Sequence, residues 1–250
     1  MKYGTRGRHR NTGGRGSHPV ATLAAGFCAT LRFGREWPAR AILRWQNVAT
    51  TPAAIIGTIL AGGQARRLGG VDKGLIEVAG RPMIEWIIEA LAPQVDAILI
   101  NANRNPDRYC RYGFPVIGDL LPNHQGPLAG FAAAMAEVPG DAAVLTVPCD
   151  SPAPPPDLAA RLTGALEAGD AELAVAHDGE RLQPVYALIP AALRESLNAF
   201  LASGERKIDL WYARHRMATA DFSDCRERFL NLNRPEDLAE VQRLLHRPGA

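Results

Sequence analysis

The chain has 250 residues, 47% of them hydrophobic and 6% aromatic, so it can fill one large domain or two small ones with a core of Ala, Leu, Ile and Val. Its net charge of +2 joins two unlike parts: residues 1–52 hold nine Lys/Arg against one acidic residue, and the remainder holds 19 basic and 25 acidic residues. The larger part is mildly acidic, which argues against broad nucleic-acid binding, and no apolar run is long enough to predict a membrane span.

Residues 1–52 read as an extension outside the fold. Met1–Ser17 is rich in Arg, Gly and His and is expected to stay disordered. Pro19–Arg32 is apolar, with basic residues before it, as in a signal peptide or an Arg-rich transit segment. Ala21–Leu31 is only weakly hydrophobic, however, and Gly26 interrupts it. A non-native extension, such as an upstream start codon would add, is the preferred reading. A basic tail that contacts a partner is the other alternative. The functional domain is then expected over residues 53–250.

From Ile55 the pattern alternates. Ile55–Leu60 predicts a buried strand, and Gly62–Gly74 a long glycine-rich loop. Pro82 suits the first turn of a helix, with Met83, Trp86, Ile87, Ala90 and Leu91 on its buried face. Strands follow at Ala97–Ile100, Pro115–Ile117, Ala143–Val147, Glu172–Ala176 and Gln183–Ile189. Helices are predicted at Pro127–Glu137, Pro156–Ala168, Ala191–Ala202 and Pro235–His246. Strands alternating with helices of this length predict an α/β fold, a single three-layer Rossmann-like domain with a mostly parallel sheet. Right-handed crossovers then bring the loops after the strands to one edge of the sheet.

Those loops carry the polar residues. Gly62, Gly63, Gly69 and Gly70 permit positive φ and close approach of a ligand to the backbone, and successive amides in such a loop bind anions. Arg66, Arg67 and Lys73 add positive charge suited to a triphosphate. Neither standard phosphate loop fits, because Lys73 is followed by Gly74 and the first two glycines are adjacent. Asp150, in Pro148-Cys149-Asp150-Ser151-Pro152, follows a buried strand, where a carboxylate either holds Mg²⁺ beside phosphate oxygens or caps a turn. Cys149 lies next to it without a base partner and reads as a core thiol. The four cysteines, Cys28, Cys110, Cys149 and Cys225, are widely spaced and imply reduced thiols and a cytoplasmic protein.

The run Leu60-Ala61-Gly62-Gly63, with Arg67 and then Gly69-Gly70-Val71-Asp72-Lys73, resembles the signature loop of the molybdenum cofactor guanylyltransferases. The resemblance extends from about Ile56 to Leu245 and includes the Pro-Cys-Asp-x-Pro turn. It implies a nucleotide-diphospho-sugar transferase type of fold. It also implies Mg²⁺-dependent transfer of GMP from GTP to a molybdopterin-type cofactor, with pyrophosphate released. Leu60, Ala61, Gly62, Gly63, Lys73, Asn101, Asp119, Gly126 and Asp150 match nucleotide contacts, Asp150 also holding the metal. Arg181 and Pro184 lie in a segment matching the family's acceptor side. Arg206 and Lys207 match a basic pair suited to a phosphate, and Asn231 and Asn233 match a closing Asn-x-Asn element. Asn233 also reads as a helix cap before Pro235. Lys73, Arg67 and Asp150 are the catalytic candidates, since nucleotidyl transfer relies on positioning and charge neutralisation. The alternatives are a related transferase using CTP or a sugar-1-phosphate, and a nucleotide-binding module without activity. Transient contacts with other molybdenum cofactor proteins are further expected.

Overall fold

The computed structural model describes residues 54–63, 71–120 and 126–246. In chain order, β1 (Ile55–Leu60) leads past a 3-10 turn at Lys73–Leu75 to a short ribbon, β2 (Glu77–Val78) and β3 (Arg81–Pro82), and then to α1 (Met83–Leu91). Next come β4 (Ala97–Asn101), α2 (Pro106–Cys110), β5 (Val116–Ile117), α3 (Pro127–Glu137) and β6 (Ala143–Pro148). The second half holds α4 (Leu158–Ala168), β7 (Leu173–His177), β8 (Leu182–Pro190), α5 (Arg194–Ala202), α6 (Ile208–Tyr212), β9 (Met217–Asp221) and α7 (Leu238–Leu245).

Seven strands form one sheet in the order β5-β4-β1-β6-β8-β7-β9. β1 pairs in parallel with β4 and β6, as do β4 with β5 and β7 with β9. Only β8 runs against its neighbours, β6 and β7. The expected mostly parallel α/β sheet is therefore present, with one reversed strand inside it. β1 is central because its apolar run is buried on both faces. Gly57 keeps α1 close: a Cβ there would lie 2.8 Å from Leu91 Cδ2.

Helices cover both faces. On one, Ile84, Ile87, Ile88 and Leu91 of α1 join Leu158 and Leu162 of α4 against Ile59, Ile100 and Val147. On the other, Leu128 and Phe131 of α3, Phe200 of α5 and Trp211 of α6 pack on Ile56, Leu99 and Val175. Two core residues expected on α1, Trp86 and Ala90, are only half-buried. Trp86 instead donates its indole N–H to Val78 O at 3.0 Å and lies under the Arg81 guanidinium.

Several boundaries shift, and short elements escaped the sequence reading. Pro82 sits just before α1 rather than in its first turn, and α4 starts at Leu158. Residues Ala191–Leu193 and Pro235–Asp237 form 3-10 turns before α5 and α7. The five-residue α2 and α6 are too short to show a period. β9, Met-Ala-Thr-Ala-Asp, is an edge strand with a single buried residue and so lacks an apolar pattern. Expectations for residues 1–53 lie outside the described residues.

In-register pairing sets Leu60 beside both Asn101 and Pro148. The residues that follow these three strand ends are therefore neighbours along one edge. β8 starts at that edge too, since Leu182 faces His177 at the end of β7. Phe131 is fully buried between α3 and the sheet. Phe131→Ala is expected to cost about 3–5 kcal/mol by the transfer and cavity terms, measured by urea denaturation.

Candidate active site

The edge is laced together by the polar segment after β4. Ala61 N donates to Asn101 O at 2.7 Å, and Cys149 N donates to Leu60 O at 3.1 Å, which fixes where the glycine loop leaves the sheet. Asn101 is buried and donates its amide to Asp119 Oδ1 at 3.0 Å. Asn103 donates to Asp119 Oδ2 at 2.7 Å and accepts the Asp119 backbone N–H at 2.7 Å. Both carboxylate oxygens of Asp119 are thus engaged by asparagine amides. Arg104 reaches back to Gly63 O at 2.8 Å.

The glycines here are steric requirements. A Cβ on Gly62 would lie 2.8 Å from Asn103 Nδ2, and one on Gly130 would lie 2.6 Å from Asn101 Oδ1 and 2.9 Å from Leu60 Cδ2. α3 can approach the strand ends only because Gly130 has no side chain. Gly126, just before α3, adopts φ +83°, a left-handed conformation suited to glycine. Arg66, Arg67, Gly69 and Gly70 lie outside the described residues.

Lys73 anchors the far end of the loop. Its ammonium donates to Asp150 Oδ2 at 2.9 Å and to Asn233 Oδ1 at 2.8 Å. The Lys73 and Asp150 side chains are only 18% and 21% exposed, so the pair is partly shielded from water. Leu232 N donates to Asp150 O at 2.7 Å and brings the C-terminal segment against the Pro-Cys-Asp turn. The capping role expected of Asn233 belongs instead to Asp237. Its Oδ2 accepts the backbone N–H of Asn233 and Arg234, each at 2.8 Å, and these bonds hold the Asp237 carboxyl below its usual range. Asn233 is left to bind Lys73 through its side chain. The amide oxygen of Asn231 is buried and receives no hydrogen bond among the described residues.

Beneath Lys73 lies a cluster the sequence reading missed. Asp72 is buried, accepts the Tyr109 hydroxyl proton in a short hydrogen bond, and accepts Asn105 Nδ2 at 3.1 Å. Burial, first, and then the neighbouring Cys149 and Asp72 push the Tyr109 phenol well above its usual value, so it remains a donor. Cys149 is buried, which pushes its thiol up. It is the core thiol expected. A tyrosine 37 residues from its aspartate leaves no sequence signal, because neither residue type nor spacing links them.

Of the expected acceptor-side residues, Asn233 joins Lys73, whereas Arg181 and Pro184 make their contacts elsewhere. The Arg181 side chain is 73% exposed and lies 3.9 Å from Asp178, whose Oδ1 closes the Gly179 turn through the Glu180 and Arg181 N–H groups. Pro184 O accepts the Tyr212 hydroxyl at 2.7 Å, and Pro184 borders a groove of about 530 Å³ with Leu182, Ile208 and Met217. Arg206 donates to Leu201 O at the end of α5, and Lys207 is exposed just before α6.

A glycine turn at a strand end, a lysine beside a carboxylate, and a sheet edge lined by amides define a nucleotidyltransferase. The comparisons agree. Residues 57–218 match the family model described as the MobA-like NTP transferase domain, and the chain belongs to that family. It is 57% identical to the molybdenum cofactor guanylyltransferase of Shewanella sp. strain ANA-3 over 182 residues, 73% of this chain and 92% of that one. Its identity to the Shewanella pealeana protein of the same name is 54%, over 76% and 94% of the two chains. Among solved structures, molybdopterin-guanine dinucleotide biosynthesis protein A from Archaeoglobus fulgidus superposes with a TM-score of 0.63 at 22% identity, covering 76% of this chain and 98% of that one. The fold extends to 4-diphosphocytidyl-2C-methyl-D-erythritol synthase from Anaerococcus prevotii, at TM-score 0.62 and 12% identity, over 78% of this chain and 97% of that one.

A methyl group at position 130 would overpack the junction of Asn101, Leu60 and α3. Gly130→Ala is expected to destabilise the protein by about 1–3 kcal/mol, read as a lowered midpoint in chemical denaturation.

Proposed function

We propose that this chain transfers GMP from GTP to the phosphate of a molybdopterin-type molybdenum cofactor and releases pyrophosphate. The observation that carries the reading is the Lys73 ammonium held between Asp150 and Asn233 at the end of the glycine loop. An ammonium has three N–H donors. Two of them hold the side chain here, which leaves one to meet a phosphate oxygen.

In the proposed reaction an oxygen of the acceptor phosphate attacks the α-phosphorus of GTP, and the bond to pyrophosphate breaks in line with it. Little acid–base chemistry is required, because an ionised phosphate is already a nucleophile and pyrophosphate leaves as an anion. The protein's work is to orient and to neutralise charge. The N–H groups of Gly62 and Gly63 and the Lys73 ammonium supply donors to the polyphosphate, with Ala61 fixing the start of the turn through its own N–H to Asn101 O and Arg67 as a further cation from the same loop. Asn101, Asp119 and Gly126 shape the side that receives base and ribose. Arg181, Pro184, Arg206, Lys207, Asn231 and Asn233 are assigned to the acceptor.

The donor set suits Mg²⁺. Among the described residues no three His, Cys, Asp or Glu side chains cluster into a cage. Mg²⁺ usually takes one or two carboxylates and completes its shell with phosphates and water, so Asp150 would hold it. When bound, the ion neutralises charge on the transferring phosphates. Among the described residues no helix is long and apolar enough to cross a membrane. Cys110, Cys149 and Cys225 are free thiols, and this supports a place in the cytoplasm. Short-lived contacts with the proteins that supply and receive the cofactor belong to the same reading.

Pyrophosphate release with purified acceptor cofactor tests the proposal, run with GTP, CTP, ATP and UTP in parallel. GTP alone is expected to support turnover. Turnover with CTP, or with a sugar-1-phosphate acceptor, would replace this reading by that of a related transferase. GTP binding without pyrophosphate release would leave a binding module. Asp150→Ala is expected to abolish metal-dependent turnover in a folded protein. Lys73→Ala is expected to slow it by about 10²-fold or more, as loss of a preorganised charge contact does.

A further inference from the structure

Lys73 is borne on a three-residue 3-10 turn next to a loop, a poor platform for a group that must meet a phosphate. What steadies it is below. Asp72, a residue only 6% exposed, precedes it, and a carboxylate is costly to bury unless hydrogen-bonded. Its two partners come from one place. Tyr109, fully buried in α2, donates from its hydroxyl, and Asn105, at the start of α2, donates from Nδ2 to the other oxygen. Gly74, on the other side of Lys73, is fitted to the same tyrosine: a Cβ there would lie 2.6 Å from Tyr109 Oη. Lys73 thus stands between two residues that both rest on one phenol. Asn105 holds φ +48°, in the left-handed region that Asn tolerates. Arg104, one residue earlier, holds Gly63 at the loop's other end. The segment from Asn101 to Tyr109 therefore touches both ends of the nucleotide loop.

We propose that Tyr109 and Asn105 are positioning residues that act through Asp72 to set the Lys73 ammonium where the α-phosphate reacts. The inference rests on the catalytic role of Lys73 proposed above. Neither residue touches substrate. Tyr109 fixes the turn from below, and Asn105 ties it to α2. The effect belongs in kcat, because Lys73 meets charge that develops during transfer, whereas the glycine amides that bind the ground-state nucleotide are placed by the strand-end bonds of Leu60 and Ala61 and by Arg104, none of which involves Asp72.

The test uses the full chain with GTP, Mg²⁺ and purified molybdopterin-type cofactor. Single-turnover pyrophosphate release resolves the slow variants. Tyr109→Phe removes one hydroxyl and leaves the ring in the core. Asn105→Gly removes one amide and keeps the left-handed backbone accessible. Each is expected to lower the transfer rate by roughly tenfold to a hundredfold, with KM for GTP little changed. In a Lys73→Ala background each is expected to cost less than about twofold, because residues acting through one partner are not additive. A general loss of structure would slow both backgrounds alike, and that result overturns the proposal. Full rates in both variants, with a large loss in Lys73→Ala, overturn it and leave the role of Lys73 standing. Full turnover in Lys73→Ala removes that role and the positioning residues with it. If Tyr109→Phe fails to fold, the exposed Asn105 still decides the question through its own pair of backgrounds.

Discussion

A single ammonium joins three distant parts of this chain. Lys73 closes the glycine loop, Asp150 follows β6, and Asn233 belongs to the C-terminal segment 160 residues further on. The pair with Asp150 is partly shielded, so it is screened less than a surface ion pair. Its value for stability is secondary, since desolvation offsets much of the attraction in such pairs. In the proposed reaction its value is geometric: a cation and a carboxylate held 2.9 Å apart mark the point where phosphate and metal would meet. The sheet exists to make that point reproducible. Parallel pairing of β1 with β4 and β6 fixes Leu60, Asn101 and Pro148 in one row, and the functional loops leave from that row.

Asn101, Asn103 and Asp119 at this edge satisfy one another. Asn101 and Asn103 engage both oxygens of Asp119, and Asp119 returns a backbone N–H. Such a closed set costs little to bury and resists rotation of its members. Close packing around it explains why Gly62 and Gly130 carry no side chain, because each would strike an asparagine amide. These glycines make room for side chains. Gly126, at φ +83°, supplies conformation instead.

Much of this was legible in the sequence because it is local. The apolar runs of β1, β4 and β6 mark central strands, and Pro127–Glu137 shows its helix by composition alone. The loop glycines, Lys73 and Asp150 declare themselves by residue type at strand ends. What stayed hidden depends on distance or on brevity. β9 sits at an edge with little to bury, and α2 and α6 are a single turn or slightly more. Asn233 reads as a helix cap by every local rule. The turn instead starts at Arg234, Asp237 accepts the backbone N–H groups of Asn233 and Arg234, and the Asn233 side chain bonds Lys73. The partner that the Asn233 side chain finds, Lys73, lies 160 residues away, and no local window of sequence contains it.

Asp72 shows the same limit from the other side. In sequence it is a lone negative charge in a loop of cations, of a sign that opposes the binding of phosphate. In the fold it is turned inward, buried, and bonded to Tyr109 and Asn105. A buried carboxylate beside the proposed phosphate site is tolerable only if hydrogen bonds stabilise it, and the Tyr109 hydroxyl and Asn105 amide do so. The same two donors fix the backbone from which Lys73 projects. A neutral residue at position 72 would spare the phosphate a nearby charge but would leave the lysine on an untethered turn. In the proposed reaction the negative charge is therefore retained as an anchor, and the adjoining lysine, held by Asp150 and Asn233, keeps its third N–H for the phosphate.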